Sequence, residues 1–331
     1  MAIVWHPGEL LSCSSGYWRG CTLQTAVRLG VFTELAADSR SAAQLAEKIG
    51  CEVRATGLLA DALSAMGLLQ KVDDRYENSP EAQRFLVESS PHYMGHIILH
   101  HHHLVDGWAQ LDQSVRTGGA VERRSYGADI ERESFIMGMF NLSMQIAPQI
   151  AEQVDLGGRN RLLDLGGGPG THAIHFCKRN PGLRALIFDR ATTEPFARQT
   201  VARFELERRI EFAGGDFKTD PIPGGPYDVA WLSHILHSNT AEECYEIIKK
   251  SVGVMETGGL ILVHDFILNN HKDGPEFPAL FSLNMLLAGN GGRSYSQEEI
   301  CDMLRSAGVA ELQHHPFRAK NDSSIIYGIV V

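Results

Sequence analysis

The sequence predicts an α/β fold, with a mainly parallel sheet covered by helices on both faces behind a mostly helical N-terminal region. Three observations predict it. From residue 156 onward, short apolar runs alternate with helical patterns, as strand–helix–strand units require. At Arg161–Thr171, RLLDLGGGPGT, an apolar run meets a glycine cluster, and a helical pattern follows to Arg179. Upstream, residues 14–76 read as helix, turn, helix and hairpin. The 331 residues suggest about two domains.

The elements follow in order. Residues 14–36 read as one helix with Trp18, Leu23, Ala26, Val27, Val31 and Phe32 along a stripe. Ser41 caps a short helix, Ala42–Ile49, stopped by Gly50. A second helix, Arg54–Met66, closes at Gly67, and Leu68–Val72, Asp73–Asp74 and Arg75–Tyr76 suggest a hairpin. This is a winged-helix pattern. Such modules often bind DNA, but Arg54, Thr56, Asp61 and Ser64 are poor equipment for phosphates and base edges. Residues 1–110 also hold 8 Lys and Arg against 12 Asp and Glu, so a helix buried in a dimer interface fits better.

A histidine tract follows: His92, His96, His100, His101, His102 and His103. Histidines at i,i+4 can share one ion. No Glu completes an H-E-x-x-H motif, and four consecutive histidines must point around the whole helix. The favoured reading is a helix whose histidines face water, packing or a substrate, with no metal. Residues 130–152 read as one helix bearing Phe135, Met139, Leu142, Ser143, Ile146 and Ile150, whose inner face can line a pocket.

Strand candidates are then 161–165, 184–188, 209–213, 227–232, 259–266 and 324–331, with helices including Glu194–Glu205, Ala241–Val254 and Gln297–Ala307. Ligands of such sheets bind at the carboxyl ends of the strands. There the glycines fall at 166, 168 and 170, and Thr171 takes the third position of a dinucleotide G-x-G-x-x-G. With Pro169 in the turn, the loop is similar to the one that S-adenosylmethionine (SAM) methyltransferases wrap around an amino-acid tail. Asp189 ends the next run and can accept both hydroxyls of a ribose. In GGDF, Gly214–Phe217, Asp216 can accept the adenine amine and Phe217 can cover a ring face, against the plain alternative of an ordinary turn.

Beyond the fourth strand, His234 and His237 stand at i,i+3. Histidine suits a base at neutral pH, with an ordinary pKa near ~6.5. Taking a phenol proton is uphill for it, unless deprotonation is coupled to attack on a nearby methyl sulfonium. The fifth strand ends in His264–Asp265, and Asp265 can orient His237 through its other ring nitrogen. The plain alternative is a surface carboxylate.

The formal charge of −10 argues against a general attraction to nucleic acid or anionic lipid. No run approaches the ~18 apolar residues of a membrane span. MAIVWHPGELL lacks the basic start and long apolar core of a signal peptide. Six scattered cysteines without a C-x-x-C pair read as free thiols in a reducing cytoplasm.

Together, SSGYWRGCTLQTAVRLGVF, the winged-helix segment, LLDLGGGPGT, FDR, GGDF, ILH, GGLILVHDFIL and GGRSYS resemble the two-domain SAM-dependent O-methyltransferases. That group includes plant caffeate and flavonoid, animal hydroxyindole, and bacterial antibiotic and pigment enzymes. The resemblance implies residues 1–105 as a winged-helix-like dimerisation domain and 106–155 as connecting helices that line the pocket. It implies 156–331 as a Rossmann-like methyltransferase domain with a mostly parallel seven-stranded sheet. It implies a homodimer acting on a small-molecule methyl acceptor, with no nucleic-acid or membrane partner. SAM, leaving as S-adenosylhomocysteine, would be held by Asp164, Gly166, Gly168, Gly170, Asp189, Arg190, Gly215, Asp216, Phe217 and Ser233. His237 would be the catalytic base and Asp265 its carboxylate partner. Phe135, Met139, Ser143, His234, Asn284 and Met285 would meet the acceptor.

Three departures stand out. Ser233 occupies the place of a lysine that contacts SAM, Ser238–Asn239 replaces an Asp-Trp pair, and Ser294 replaces a second supporting glutamate. The expected function is O-methylation of a hydroxyl on an aromatic or polyketide-like molecule. The alternatives are C- or N-methylation of a larger planar or isoprenoid acceptor with His237 only positioning it, and a non-catalytic SAM- or DNA-binding regulator.

Overall fold

The computed structural model describes residues 5–319 and 322–331, so the first four residues of MAIVWHPGELL lie outside the described chain. Its internal contacts divide the chain into two units. One runs to Val105 and takes in Ser125–Asn141; the other takes Asp106–Arg124 and Leu142–Val331.

In the first unit, α1 (Pro7–Ser14) comes first, and the single helix expected over 14–36 is two: α2 (Tyr17–Arg28) and α3 (Val31–Glu34). Gly30 breaks the run at φ +72, a conformation that glycine adopts without a Cβ clash. After β1 (Arg40–Ser41), α4 (Ala42–Ile49) starts on a capping box: Gln44 N donates to Ser41 Oγ at 3.3 Å and Ser41 N donates to Gln44 Oε1 at 3.0 Å. Gly50 ends it, as expected. Then come α5 (Val53–Ala65), β2 (Leu69–Val72) and β3 (Arg75–Asn78). Asp73 and Asp74 both take positive φ, which a two-residue hairpin turn demands. The three strands order as β1-β3-β2, over a core of Phe32, Leu45 and Leu63. α6 (Pro80–Phe85) and α7 (Gly95–Trp108), which carries the histidine tract, follow.

Past α8 (Leu111–Thr117), the helix expected over 130–152 is also divided, into α9 (Ala128–Met144) and α10 (Ala147–Gln153). The reason is Pro148, which belongs in a first helical turn and breaks an interior one. The rest of the second unit alternates strand and helix: β4 (Arg161–Leu165), α11 (Thr171–Arg179), β5 (Arg184–Asp189), α12 (Glu194–Arg203), β6 (Ile210–Gly214), β7 (Tyr227–Ser233), α13 (Ala241–Val252), β8 (Met255–Asp265), α14 (Glu276–Ala288), α15 (Gln297–Ser306), β9 (Val309–Arg318) and β10 (Ser324–Val330). The sheet has the order β6-β5-β4-β7-β8-β10-β9, parallel from β6 to β8, with β10 antiparallel to both neighbours.

The central strand β4 is buried on both faces through Leu162, Leu163 and Leu165, which is why it reads as a continuous apolar run. The strand at the far edge, β9, is absent from the sequence expectation. Its segment VAELQHHPFR lacks such a run, and an edge strand does not need one. Among the described residues, no helix is long and apolar enough to cross a membrane.

Candidate active site

The order of the sheet brings the ends of β6, β5, β4, β7 and β8 side by side, and the candidate cofactor and base residues lie at or just past those ends. After β4, Gly170 precedes α11 at φ +78, where an added Cβ would come within 2.5 Å of Ile187. Gly168, at φ +54, has nothing within 4 Å of its Cβ position, so the loop opens onto space there. Asp189, at the end of β5, was expected to serve a ribose. Its carboxylate builds the loop: Oδ2 accepts from Gly168 N at 2.8 Å and Oδ1 from Arg190 N at 2.6 Å. Burial raises this carboxyl, against the pull of those N–H groups. Gly215 N donates to Asp189 O at 2.9 Å, which joins the β5 and β6 ends.

Asp216 accepts from Lys218 N at 2.9 Å, and Phe217 is half-buried beside Gly166. Lys250 of α13 braces this turn by donating to the backbone oxygens of Phe217, Lys218 and Asp220 at 2.8, 3.3 and 2.5 Å. Below the loop, Asp164 accepts from Ala173 N at 3.3 Å through Oδ2, while its Oδ1 and the Thr171 hydroxyl are buried without a partner. Burial pushes the Asp164 carboxyl up to about 7. An open glycine cradle, the N-terminus of α11 and unpaired polar atoms beneath fit a nucleoside sulfonium with an amino-acid tail.

The other half of the site is a histidine–carboxylate pair. His237 lies in a short turn after β7 and Asp265 at the end of β8; both are buried. His237 Nδ1 donates to Asp265 Oδ1 at 2.6 Å, and His237 N donates to Oδ2 at 3.3 Å. The carboxylate therefore fixes both the ring and its backbone, and the surface-carboxylate alternative falls. Burial works to raise the Asp265 carboxyl, but the contacts with His237 and His234 outweigh it and hold it well below the usual range. The ring of His237 stacks on Phe266 at 5.7 Å and meets the edge of Phe281 at 4.8 Å. Asn239, in place of an expected tryptophan, closes the turn by donating from Nδ2 to Ile235 O at 2.6 Å.

Ser233 bonds with His264 Nδ1 at 2.9 Å, His264 Nε2 with Ser323 Oγ at 3.0 Å, and His172 Nε2 stands 3.5 Å from Ser233 Oγ. Burial pushes His172 down to about 3 and His264 well below the ordinary imidazole value. Ser294 is buried, with its hydroxyl unpaired.

His234, His237 and Asp265 are the group among the described residues whose donors converge as metal ligands would. The 2.6 Å between His237 Nδ1 and Asp265 Oδ1 is a hydrogen bond, whereas two ligands on one zinc stand roughly 3.3 Å apart. On α7, His103 stacks on Tyr126 at 4.5 Å, His100 meets Phe135 at 5.3 Å and His96 meets Tyr93 at 5.3 Å. Each of these three rings has an aromatic neighbour.

Of the expected acceptor residues, Asn284 and Met285 lie on α14, where Asn284 Oδ1 accepts from Trp108 Nε1 at 3.1 Å and Met285 is buried. Ser143 is half-buried on α9. Phe135 and Met139, also on α9, belong to the first unit, Phe135 exposed and Met139 half-buried. Sequence reasoning missed Phe266, Phe277, Phe281 and His172. The i,i+4 spacing of Phe277 and Phe281 on one helix is the signal that could have found the first ring wall.

A glycine cradle and an acidic strand end beside a buried His–Asp pair define a nucleoside-binding α/β group-transfer enzyme. Comparison with known proteins names the class. Residues 108–310 match the O-methyltransferase domain, and residues 11–88 match the O-methyltransferase dimerisation domain. The chain belongs to the O-methyltransferase family and is a SAM-dependent methyltransferase. It is 32% identical to a 3-hydroxy-5-methyl-1-naphthoate 3-O-methyltransferase of Streptomyces sahachiroi, over 98% of this chain and 95% of the relative. It is also 32% identical to the tetracenomycin polyketide synthesis 8-O-methyl transferase TcmO of Streptomyces glaucescens, over 93% and 92%. A solved O-methyltransferase family protein from Burkholderia thailandensis superposes with a TM-score of 0.86 at 28% identity, covering 99% of both chains.

Proposed function

We propose that the protein methylates a hydroxyl group of a small aromatic or polyketide-like molecule, with His237 as the base and Asp265 as its orienting carboxylate. The observation that carries this is the buried 2.6 Å bond from His237 Nδ1 to Asp265 Oδ1. It spends one ring nitrogen on the carboxylate and leaves Nε2 as the proton acceptor. SAM supplies an electrophilic methyl group on a sulfonium. The glycine loop, Asp189, Asp216 and Phe217 hold that donor. His237 Nε2 would take the hydroxyl proton as the oxygen bonds the methyl carbon and the carbon–sulfur bond breaks to release S-adenosylhomocysteine, and Asp265 would stabilise the imidazolium. Phe266 and Phe281 keep water from the base and offer ring faces to a flat acceptor. The naphthoate and polyketide named for the two relatives support an aromatic acceptor.

The same proposal includes a homodimer in the cytoplasm. Exposed Leu11 (71%) and Trp18 (63%), on or beside helices within the dimerisation match, are surfaces for a second copy, and six free cysteines suit a reducing compartment. Residues 1–105, 106–155 and 156–331 would divide the work as dimerisation, pocket lining and methyl transfer.

His237→Ala is expected to lower kcat by about a hundred- to ten-thousandfold while S-adenosylhomocysteine affinity by calorimetry stays within about twofold. Deuterated methyl from the donor should be found on oxygen in the product. Unchanged turnover, or label on carbon or nitrogen, would overturn the assignment.

A further inference from the structure

His237 is one of two imidazoles that look onto Asp265. His234 Nδ1 lies 3.7 Å from the Oδ1 that His237 Nδ1 bonds at 2.6 Å. The two rings stand 5.7 Å apart at 47°, and both pack on Phe266, His234 at 4.5 Å. His234 sits at φ +57, in the left-handed region that histidine enters more readily than most side chains. Its backbone is locked there by donation from His234 N to His264 O at 2.8 Å. This turn holds up an imidazole with 23% of its side chain open.

The orientation of that imidazole follows from charge. His234 Nδ1 is buried without a hydrogen-bond partner. A lone pair there would face a carboxylate, so the proton belongs on Nδ1 and the lone pair on Nε2. His237 has the same arrangement. Burial, opposed by Asp265, lowers the His234 pKa and keeps the ring neutral near pH 7. Two imidazoles thus turn ring N–H groups toward one carboxylate through Nδ1 and present Nε2 away from it. With Ser294 in place of a second glutamate, Asp265 serves both rings.

We propose that His234 is a second acceptor-binding residue, which takes a hydrogen bond from a hydroxyl next to the one that His237 deprotonates. The preferred acceptor is then an aromatic molecule with two neighbouring hydroxyl groups. Hydrogen bonds of about 2.8 Å let rings at this spacing grip donors on adjoining carbons, and the neighbouring phenylalanines cover the flat faces. The inference rests on the reading of His237 as the base.

The test compares 2,3-dihydroxynaphthalene with 2-naphthol, in wild type and in His234→Gly and His234→Asn, both of which accept positive φ. Binding to the full-length, S-adenosylhomocysteine-saturated protein is read by calorimetry, and kcat/KM is read with SAM. Wild type should bind the diol about tenfold more tightly, the effect of one net hydrogen bond. The preference should fall within about twofold in His234→Gly and be partly kept by the amide oxygen of His234→Asn. A wild type that binds neither probe, or shows no preference, or a preference that survives in His234→Gly, would overturn the inference. O-methylation of either probe in those cases leaves the methyl-transfer reading intact, so the two failures are distinguishable.

Discussion

The first unit carries His100–His103 in a row on α7, while the second gathers His172, His234, His237 and His264 from three stretches far apart in sequence. The row is the louder feature of the sequence and the quieter one of the structure. Its members settle among rings and neighbours: His103 on Tyr126 and beside Ser134 Oγ at 3.3 Å, His102 beside Arg28 at 3.3 Å, His100 against Phe135. The scattered set is organised by Asp265 and by the paired ends of β7 and β8. An imidazole becomes useful when a carboxylate occupies its far nitrogen, and the density of histidine along a chain says nothing about that.

Asp265→Asn would break this contrast most severely. The amide cannot enforce the Nδ1–H tautomer of His237, and kcat should fall by roughly a thousandfold with little change in donor affinity. A smaller loss measured in steady-state assays would mean that the carboxylate is incidental.

Next comes acid stability. His172 is held near about 3 by burial, aided by His234 and His175. In the unfolded chain it titrates near ~6.5. Between those values the unfolded state binds the proton and the folded state does not, so stability falls as pH drops below about 6.5. The slope is ~1.4 kcal/mol per pH unit, or roughly 2 kcal/mol by pH 5. Asp164, raised to about 7, works in the opposite sense and His264 in the same sense, so the His172 share is a difference. Between pH 7 and pH 5, urea unfolding should show roughly 2 kcal/mol less loss of stability in His172→Phe than in wild type. Parallel profiles would show that the buried ring does not stay neutral.

The smallest effect belongs to the row. His103→Ala removes one ring stack and one hydrogen bond, which should lower stability by about 1–2 kcal/mol and leave turnover within about threefold. A large loss of turnover would erase the distinction between the two regions.

What the sequence made legible follows the reach of each interaction. The glycine loop, Asp189 and Asp216 declare themselves by local spacing at strand ends. The pair of His237 and Asp265 is legible one step further, because neighbouring parallel strands end at matched positions; Ser233 faces His264 across β7 and β8. Phe266 and Phe281 form a wall only when α14 returns over the strand ends, and no local pattern encodes that return. The helix breaks at Gly30 and before Pro148 were written in the chain, but apolar stripes continued across them. β9 was silent because an edge strand is not obliged to be apolar.

Lys250 fastens the turn after β6 by its carbonyl oxygens alone. Every amino acid supplies the same oxygen, so the clamp is indifferent to which side chains the turn displays. Substitutions at Thr219 can therefore be made without touching the clamp, whereas loss of the Lys250 ammonium would leave the turn to its own hydrogen bonds and to the Lys218–Glu243 ion pair.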